Sequence, residues 1–286
     1  MRVAYLGPEG TFTAEALKAA AGSDPVVTMP TETIFDAILA VENGGADRAL
    51  VPIENSIEGS VRATLDALAF ETERTVVVGE HDHPIHHQLL SRTHLALEDI
   101  EVVLSHPQAS AQCARFVRER IAGAEVRSAP STAEAVRTVS ETDAPWAALG
   151  SSAAGELYGC ETLVSGVEDE PDNVTRFIWL APAGTEAPGG GRWRTTFVFA
   201  ELGDDHPGAL VEALHEFSTR SVNLTRIESR PLRQGLGRYM FFCDLDGALT
   251  DEPVAAALDG LRGKAESVRL LGSYPVEVEG IPGTPA

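Results

Sequence analysis

Thr175 and Arg176, neighbours in the segment NVTRF, have side chains that suit proton transfer and anion binding. A hydroxyl held in position can act as a general acid, an effect typically worth ~10²–10⁴-fold in rate. The planar guanidinium of arginine matches a carboxylate through two parallel hydrogen bonds. An apolar run typical of a strand follows Thr175. We therefore expect its hydroxyl at the end of a strand, facing a cleft.

Two further segments place polar or glycine residues where an α/β protein binds ligands. Asn55 and Ser56 follow the apolar run 48–53, at the end of a strand where ligands of open α/β folds usually lie. The same residues also suit a turn or a helix cap. Gly7 and Gly10 precede a predicted helix, whose free N–H groups could hold a carboxylate. A plain β-to-α turn would use the same glycines.

Four histidines, at positions 81, 83, 86 and 87, suggest a metal site at first inspection. On a strand, His81, His83 and His87 would share one face, but Pro84 interrupts the register. We therefore interpret these histidines as surface or lobe-packing residues and predict no metal site.

Bulk properties narrow the class of protein. The 286 residues suffice for two domains, and the three cysteines include no CxxC pair, which fits a reducing cytosol. The chain starts without a signal-peptide pattern and contains no uncharged apolar stretch of about 18 residues. A net charge of -21 disfavours binding to nucleic acid or anionic membranes. We expect a soluble, cytoplasmic protein.

Short apolar runs alternate with helical patterns over the first 180 residues, which predicts an α/β fold with a largely parallel sheet. Predicted strands cover residues 1–6, 48–53, 75–79, 85–91, 101–105, 146–150 and 176–181. Predicted helices cover 13–21, 60–69 and 152–157, and others start near Thr31, Pro107 and Ser131.

A Pro/Gly/Ala-rich segment at 181–192 is the predicted domain boundary. Beyond it the pattern reads β-α-β-β-α-β, with strands at 195–201, 226–232, 238–245 and 267–274 and helices at 208–219 and 252–263. This order over about 80 residues predicts a ferredoxin-like sandwich.

Five stretches, in order along nearly the whole chain, resemble the prephenate dehydratase family: YLGPEGTFT (5–13), VPIENSIEGSV (51–61), SHPQASAQC (105–113), NVTRF (173–177) and ESRP (228–231). The resemblance implies a catalytic domain at 1–181, two-lobed and similar to type 2 periplasmic binding proteins. We place lobe one at 1–77 and 155–181 and lobe two at 78–154, with the active site between them. A ferredoxin-like ACT regulatory domain would follow at 193–275.

The resemblance also implies an activity. Members convert prephenate to phenylpyruvate, water and carbon dioxide without cofactor or metal. It implies that Thr175 donates the proton to the departing C4 hydroxyl, and that Arg176 either pairs with a substrate carboxylate or holds the lobes together. Because prephenate is a dianion and the chain is acidic, local hydrogen-bond donors must capture the substrate. The implied catalytic residues are Thr175, Asn55, Ser105 and Gln112, and the implied substrate-binding residues are Gly10, Thr11, Ser56, Arg176 and Phe177.

The segments DHPGALVEAL (205–214) and NLTRIESRP (223–231) resemble the phenylalanine-binding segments of the family's ACT domain. The ligand would lie between ACT domains of two subunits, so a homodimer or homotetramer is implied, with L-phenylalanine as effector. The implied contacts are Pro207, Gly208, Ala209, Leu210, Asn223, Leu224, Glu228 and Ser229.

Two alternatives remain at this point. An enzyme acting on arogenate, the transaminated form of prephenate, would carry the same motifs. A non-catalytic amino-acid sensor would also fit the two binding folds, although it would have no use for Thr175 and, if periplasmic, would need an export signal.

Overall fold

The computed structural model describes residues 1–187, 190–202, 207–276 and 280–282, which form three sheets with packed helices. The first sheet has the order β2-β1-β3-β11-β5, with the short β4 beside β3. Its strands are β1 (Arg2–Leu6), β2 (Val27–Thr31), β3 (Arg48–Asn55), β4 (Gly59–Ser60), β5 (Thr75–Pro84) and β11 (Val174–Pro182). Helices α1 (Phe12–Ala21), α2 (Ile34–Glu42) and α3 (Arg62–Phe70) belong to this lobe.

The second sheet has the order β10-β6-β9-β7-β8. Its strands are β6 (Gln88–Ser91), β7 (Val102–Ser105), β8 (Glu125–Ser128), β9 (Trp146–Gly150) and β10 (Glu161–Ser165). Its helices are α4 (Pro107–Gln112), α5 (Ala114–Arg120), α6 (Thr132–Ser140) and α7 (Ser152–Tyr158). In both sheets three parallel strands are followed by one antiparallel strand, so the two lobes repeat one plan. The predicted two-lobed α/β fold is confirmed.

The lobe boundaries differ from the prediction. Strand β5 runs unbroken to Pro84 and pairs throughout with β11, so the first crossing comes after residue 84 rather than 77. Strand β10 pairs with β6 of the second sheet, so the return crossing comes after residue 165 rather than 155. The predicted strand 85–91 shortens to Gln88–Ser91 for the same reason. Strands β2, β8 and β10 had no signal in the sequence, because they are edge strands with much exposed surface.

Capping residues fix where the helices begin. Ser131 accepts the N–H of Glu134 at 3.0 Å, and Pro107 is the first residue of α4, both as predicted. Helix α2 is capped by Thr33 and not by Thr31, because Thr31 still belongs to β2 and its hydroxyl donates to the Tyr5 carbonyl. The start of α2 therefore shifts along the chain.

The third sheet forms the C-terminal domain and has the order β13-β14-β12-β15. The chain order β12 (Trp193–Ala200), α8 (Ala209–Ser218), β13 (Leu224–Pro231), β14 (Tyr239–Asp246), α9 (Glu252–Arg262) and β15 (Ser267–Pro275) is the predicted βαββαβ ferredoxin-like unit. One face of this sheet packs on α8 and α9 around Phe197, Phe199 and Phe217.

The other face of the third sheet packs on the first lobe. Leu271 and Tyr274 share one buried cluster with Ile38, Val77 and Ile178. Arg269 also donates to the Leu68 carbonyl at the end of α3. The C-terminal domain therefore packs on the first lobe and completes its hydrophobic core, and it is not a separate domain joined only by a linker. None of the helices in the described ranges combines the length and hydropathy that a bilayer crossing needs.

A glycine lies at this interface where a side chain has no room. A Cβ atom at Gly272 would lie 2.2 Å from the Val77 carbonyl oxygen and 2.8 Å from the Val77 Cβ. We expect Gly272→Ala to lower the free energy of unfolding by about 1–3 kcal/mol, because the domains must separate to admit the methyl group.

Urea unfolding followed by circular dichroism measures this loss. Gly123→Ala is the control, since a Cβ there meets nothing within 4 Å. Equal stability of the two variants would contradict the close interface.

Candidate active site

A cavity of about 830 Å³ lies between the first and second sheets. The first lobe contributes the turn before α1, the end of β3 and the start of β11, and the second lobe contributes the N-terminal ends of α4 and α6. The polar residues bordering it include Thr11, Asn55, Asn173 and Thr175 on one side and His87, His106, Gln112, Ser131 and Thr132 on the other.

The carboxamide of Asn55 has one orientation. Its Oδ1 accepts the backbone N–H groups of Ile57 and Glu58, both at 3.0 Å. Its Nδ2 therefore points the other way and donates to Thr175 Oγ1 at 2.9 Å and to Asn173 Oδ1 at 2.7 Å. Because Thr175 Oγ1 already accepts this bond, its own proton is available to a molecule in the cavity.

The same network continues into the second lobe. Asn173 Nδ2 donates to Gln112 Oε1 at 3.3 Å, and His87 Nε2 lies 3.0 Å from that oxygen. An amide oxygen only accepts hydrogen bonds, so Nε2 is the protonated nitrogen of the His87 ring. One chain of hydrogen bonds thus joins β3 and β11 of the first lobe to α4 of the second.

His87 is 1% exposed and borders the cavity. Of the two predicted roles for the histidines, surface or lobe-packing, His87 has the second, but its place at the cavity was not predicted. Burial lowers the pKa of His87, and this outweighs the opposing effects of Gln112 and Glu168. Its Nδ1 is buried without a hydrogen-bond partner in the described part of the chain, and Phe12 packs edge-on against the ring at 4.9 Å. The ring is therefore neutral.

The two segments that cross between lobes run side by side beneath the cavity. The N–H of Ile85 donates to the Asn173 carbonyl at 2.8 Å. The N–H groups of Gly166 and Val167 donate to the His87 carbonyl at 3.0 and 3.1 Å. Both crossings thus carry a residue of the hydrogen-bond network, Asn173 or His87, and neither residue was predicted to border the active site. Their position at a crossing becomes visible only once β5 and β10 are assigned to their sheets.

The cavity is poor in positive charge. No lysine or arginine is among the described residues that border it, and its acidic residues are Glu32 and Glu134. Among the helices of nine or more residues that begin at its edge, α1 and α6 have N-cap residues, Thr11 and Ser131, whose side chains accept a helix N–H and which border the cavity themselves. The first N–H groups of a helix have no intrahelical partner and carry partial positive charge. Anions would thus be bound by neutral donors.

Five of the nine implied catalytic and substrate-binding residues border the cavity: Thr11, Asn55, Gln112, Thr175 and Phe177. Thr11 caps α1 and accepts the Ala14 N–H at 3.3 Å. Phe177 is only 2% exposed and belongs to the core beside Trp179, so it mainly packs.

Three of the other residues, Gly10, Ser56 and Ser105, are not among the described residues that border the cavity. Gly10 has a φ of 82°, a Cβ there would lie 3.3 Å from Ala154 Cα, and its carbonyl accepts the Ser151 hydroxyl. Ser56 accepts the Val174 N–H at 3.0 Å. Ser105 is fully buried and donates to the Leu149 carbonyl at 2.8 Å. These residues hold elements together.

Arg176 also points away from the cavity, so neither expected role matches its position. Its guanidinium pairs with Glu54 at 2.9 Å and with Glu80 at 3.4 Å, both in the first lobe. It pairs with Asp244 of the C-terminal domain at 2.7 Å. Arg176 therefore joins the first lobe to the C-terminal domain rather than to the second lobe.

The implied effector residues fall into separate places within one chain. Ala209 and Leu210 border a cavity of about 400 Å³ beside Tyr239 and Phe241. Asn223 lies beyond the other end of α8 and donates to Asp246 at 2.8 Å. Leu224, Glu228 and Ser229 lie on β13, an edge strand, and Pro207 and Gly208 precede α8. Residues 205 and 206 of the quoted segment lie outside the described residues.

Comparison with known proteins decides the family. The sequence model of prephenate dehydratase matches residues 3–185, and the model of the ACT domain matches residues 196–263. The chain belongs to the prephenate dehydratase family. It is accordingly a decarboxylating carbon–oxygen lyase with a C-terminal ACT domain.

Similar proteins cover nearly the full length. Prephenate dehydratase of Mycolicibacterium vanbaalenii is 41% identical over 96% of this chain and 90% of its own, and that of Mycobacterium tuberculosis is 40% identical over 96% and 87%. The structure of prephenate dehydratase from Arthrobacter aurescens in complex with L-Phe is 39% identical, with a TM-score of 0.88, covering 100% of this chain and 93% of that one. A structure described as a novel type of quorum quenching acylase is 33% identical, with a TM-score of 0.83 and coverage of 97% and 98%.

The buried, neutral His87 predicts a specific response to acid. Its pKa in the folded protein lies below the ~6.5 of the unfolded chain. As the pH falls below about 6.5, the unfolded state takes up a proton at this position before the folded state does, so stability declines. We expect His87→Gln to flatten the decline between about pH 6.5 and 5, measured by urea unfolding at each pH.

His94→Gln serves as the control, because the His94 side chain is 83% exposed. A decline in His87→Gln as steep as in the parent protein would contradict a neutral, buried His87.

Proposed function

We propose that the protein converts prephenate to phenylpyruvate, water and carbon dioxide in L-phenylalanine biosynthesis, and that L-phenylalanine controls it through the ACT domain. One observation supports the catalytic half above all. The Thr175 hydroxyl borders the cavity and accepts a hydrogen bond from an Asn55 amide whose orientation is fixed. This arrangement leaves the proton of the Thr175 hydroxyl available to a molecule bound in the cavity.

The proposed reaction needs a proton at the departing C4 oxygen of prephenate. The ring becomes aromatic as the C1 carboxylate leaves as carbon dioxide, so aromatisation supplies most of the driving force. Thr175 donates its proton to the C4 oxygen, which leaves as water, and solvent later returns a proton to Thr175. A threonine hydroxyl is a weak acid in water. The Asn55 Nδ2 donor at 2.9 Å stabilises the negative charge that develops on Oγ1 as the proton leaves.

The two carboxylates of prephenate would be bound by helix N-termini. Helices α1 and α6 begin on opposite walls of the cavity, near Thr11 and Thr132. Their unpaired N–H groups and dipoles bind anions without a formal charge. The network from Asn55 through Asn173 and Gln112 to His87 holds the two lobes in register while the substrate lies between them.

The role of Thr175 gives a direct test. We expect Thr175→Ala to lower kcat by about 10²–10⁴-fold, because the proton donor is lost, whereas Thr175→Ser keeps the hydroxyl and most of the rate. Phenylpyruvate formation from prephenate is the measurement. Thr162→Ala is the control, since Thr162 lies on β10 at the outer edge of the second sheet.

Full activity of Thr175→Ala would exclude Thr175 as the acid and leave membership of the family untouched. If no variant or parent protein forms phenylpyruvate, a non-catalytic sensor becomes the better interpretation. Arogenate is assayed in parallel, because the ratio of kcat/KM for the two substrates decides which of them is preferred.

The regulatory half is supported by the ACT domain and by the L-Phe complex of the Arthrobacter aurescens relative. Within one chain the implied effector residues stand apart, because α8 has ten residues and spans about 15 Å between Ala209 and Ser218. Two subunits placed with these ends together would complete a site that one chain leaves open. A homodimer or homotetramer is therefore part of the proposal.

Removing residues 193–286 is a poor test of regulation, because it would expose the core that Leu271 and Tyr274 share with the first lobe. We instead expect Asn223→Ala to raise the Kd for L-phenylalanine about 10- to 100-fold, the effect of losing one hydrogen bond to a charged ligand. Calorimetric titration measures this affinity.

Asn43→Ala, at the exposed end of α2, is the matched control. Unaltered phenylalanine affinity in Asn223→Ala would remove Asn223 from the effector site. Parent protein that binds no phenylalanine would contradict the regulatory half as a whole.

A further inference from the structure

Six charged residues meet where the ACT domain packs on the first lobe, and we name them the interdomain ion cluster. Three come from the first lobe and three from the ACT sheet, with equal numbers of each sign: Glu54, Glu80 and Arg176, and Arg194, Arg226 and Asp244. The cluster lies outside the catalytic cavity.

Asp244 is the centre of this cluster. It is fully buried, and its Oδ2 accepts Arg176 Nη2 at 2.7 Å and Arg226 Nε at 2.8 Å. Its Oδ1 accepts the Thr196 hydroxyl at 2.8 Å. Burial alone would raise the pKa of Asp244, but the guanidinium groups of Arg226 and Arg176 outweigh it and hold that pKa below its ordinary value. Asp244 therefore carries its negative charge at neutral pH and holds Arg176 from the ACT side.

The interdomain ion cluster joins the two domains at an unfavourable desolvation free energy, because its charged groups are removed from water. Within the described chain, Nε of Arg176, Nε of Arg194 and Nη1 of Arg226 are buried without a hydrogen-bond partner. Buried ion pairs with unmet donors are often less stabilising than apolar residues of the same volume. What such a cluster does provide is a defined position for each charged group.

That position matters because of the strand register. In the antiparallel pair β3–β11, Thr175 lies opposite Asn55 and Arg176 lies opposite Glu54. The residues that form the proton-donating pair thus each adjoin a residue of the cluster. A shift of Arg176 along or across β11 would move Thr175 relative to Asn55. The hydrogen bond from Asn55 Nδ2 to Thr175 Oγ1 is 2.9 Å long and would be weakened by a small displacement.

We propose that Asp244 is a positioning residue for the reaction: it fixes Arg176 and thereby holds the Thr175 hydroxyl against Asn55, so the ACT domain takes part in forming the active site. The proposal rests on the function proposed above. It assigns to the ACT domain an effect on catalysis that does not require an effector.

The experiment is a double-mutant cycle in the full-length protein. We expect Asp244→Asn to lower kcat about 10- to 100-fold while KM changes less than about twofold, because the substrate-binding helices α1 and α6 are untouched and the proton donor is displaced. In a Thr175→Ala background, Asp244→Asn should cost less than about twofold more, since no donor remains to be displaced.

Asp66→Asn is the matched control. Asp66 also joins the domains, through Arg230 and Arg233, but it lies on α3 away from β11. We expect it to leave kcat within about twofold. If Asp244→Asn does not fold, as judged by circular dichroism, Glu54→Gln replaces it in the same cycle, because Glu54 contacts Arg176 from a partly exposed position.

Three results would overturn the proposal: full kcat in the cluster variant, the same loss with and without Thr175, or an equal loss in Asp66→Asn. Either of the first two results would show that the cluster does not act through Thr175. An equal loss in Asp66→Asn would show that any weakening of the domain interface lowers kcat. A parent protein without dehydratase activity would instead refute the proposed function, so the two failures are distinguishable.

Discussion

The pairing of β11 with β3 is the interaction on which the rest of the structure depends. It places Thr175 against Asn55 at the cavity and Arg176 against Glu54 at the domain interface. Because β11 also pairs with β5 along its length, a slip by one residue would disrupt both sides of the strand together. The active site and the ACT interface are therefore adjacent consequences of one register.

Amides, rather than charges, organise the cleft. Asn55, Asn173 and Gln112 each use their side chains as donor, acceptor or both, and two backbone N–H groups remove the ambiguity in the Asn55 orientation. Buried polar networks stabilise one arrangement strongly only when their members are satisfied. The buried Nδ1 of His87 is the exception in this network, because it accepts no hydrogen bond from the described residues.

The sequence predicted those parts of the fold in which local pattern and tertiary role agree. The βαββαβ order, the Ser131 cap and the Pro107 helix start were recognisable because turn and cap chemistry is local. The edge strand β8, with the sequence EVRS, has too few buried positions to show a period. Ser105 and Arg176 were placed in the cleft by resemblance, but which side of a strand faces which neighbour is decided by packing that no local pattern encodes. The position of His87 at the cavity was not predicted for the same reason.

The absence of lysine and arginine among the described residues bordering the cavity has a consequence for the end of the catalytic cycle. With the uptake of one proton, the reaction turns a dianion into a monoanion and two neutral molecules, so the ligand loses half its charge inside the cleft. A cleft of helix dipoles attracts an anion over a short range only, and the chain as a whole carries a formal net charge of -21, which disfavours a bound anion. We therefore expect the same repulsion to slow substrate entry and to favour release of the product from the cleft.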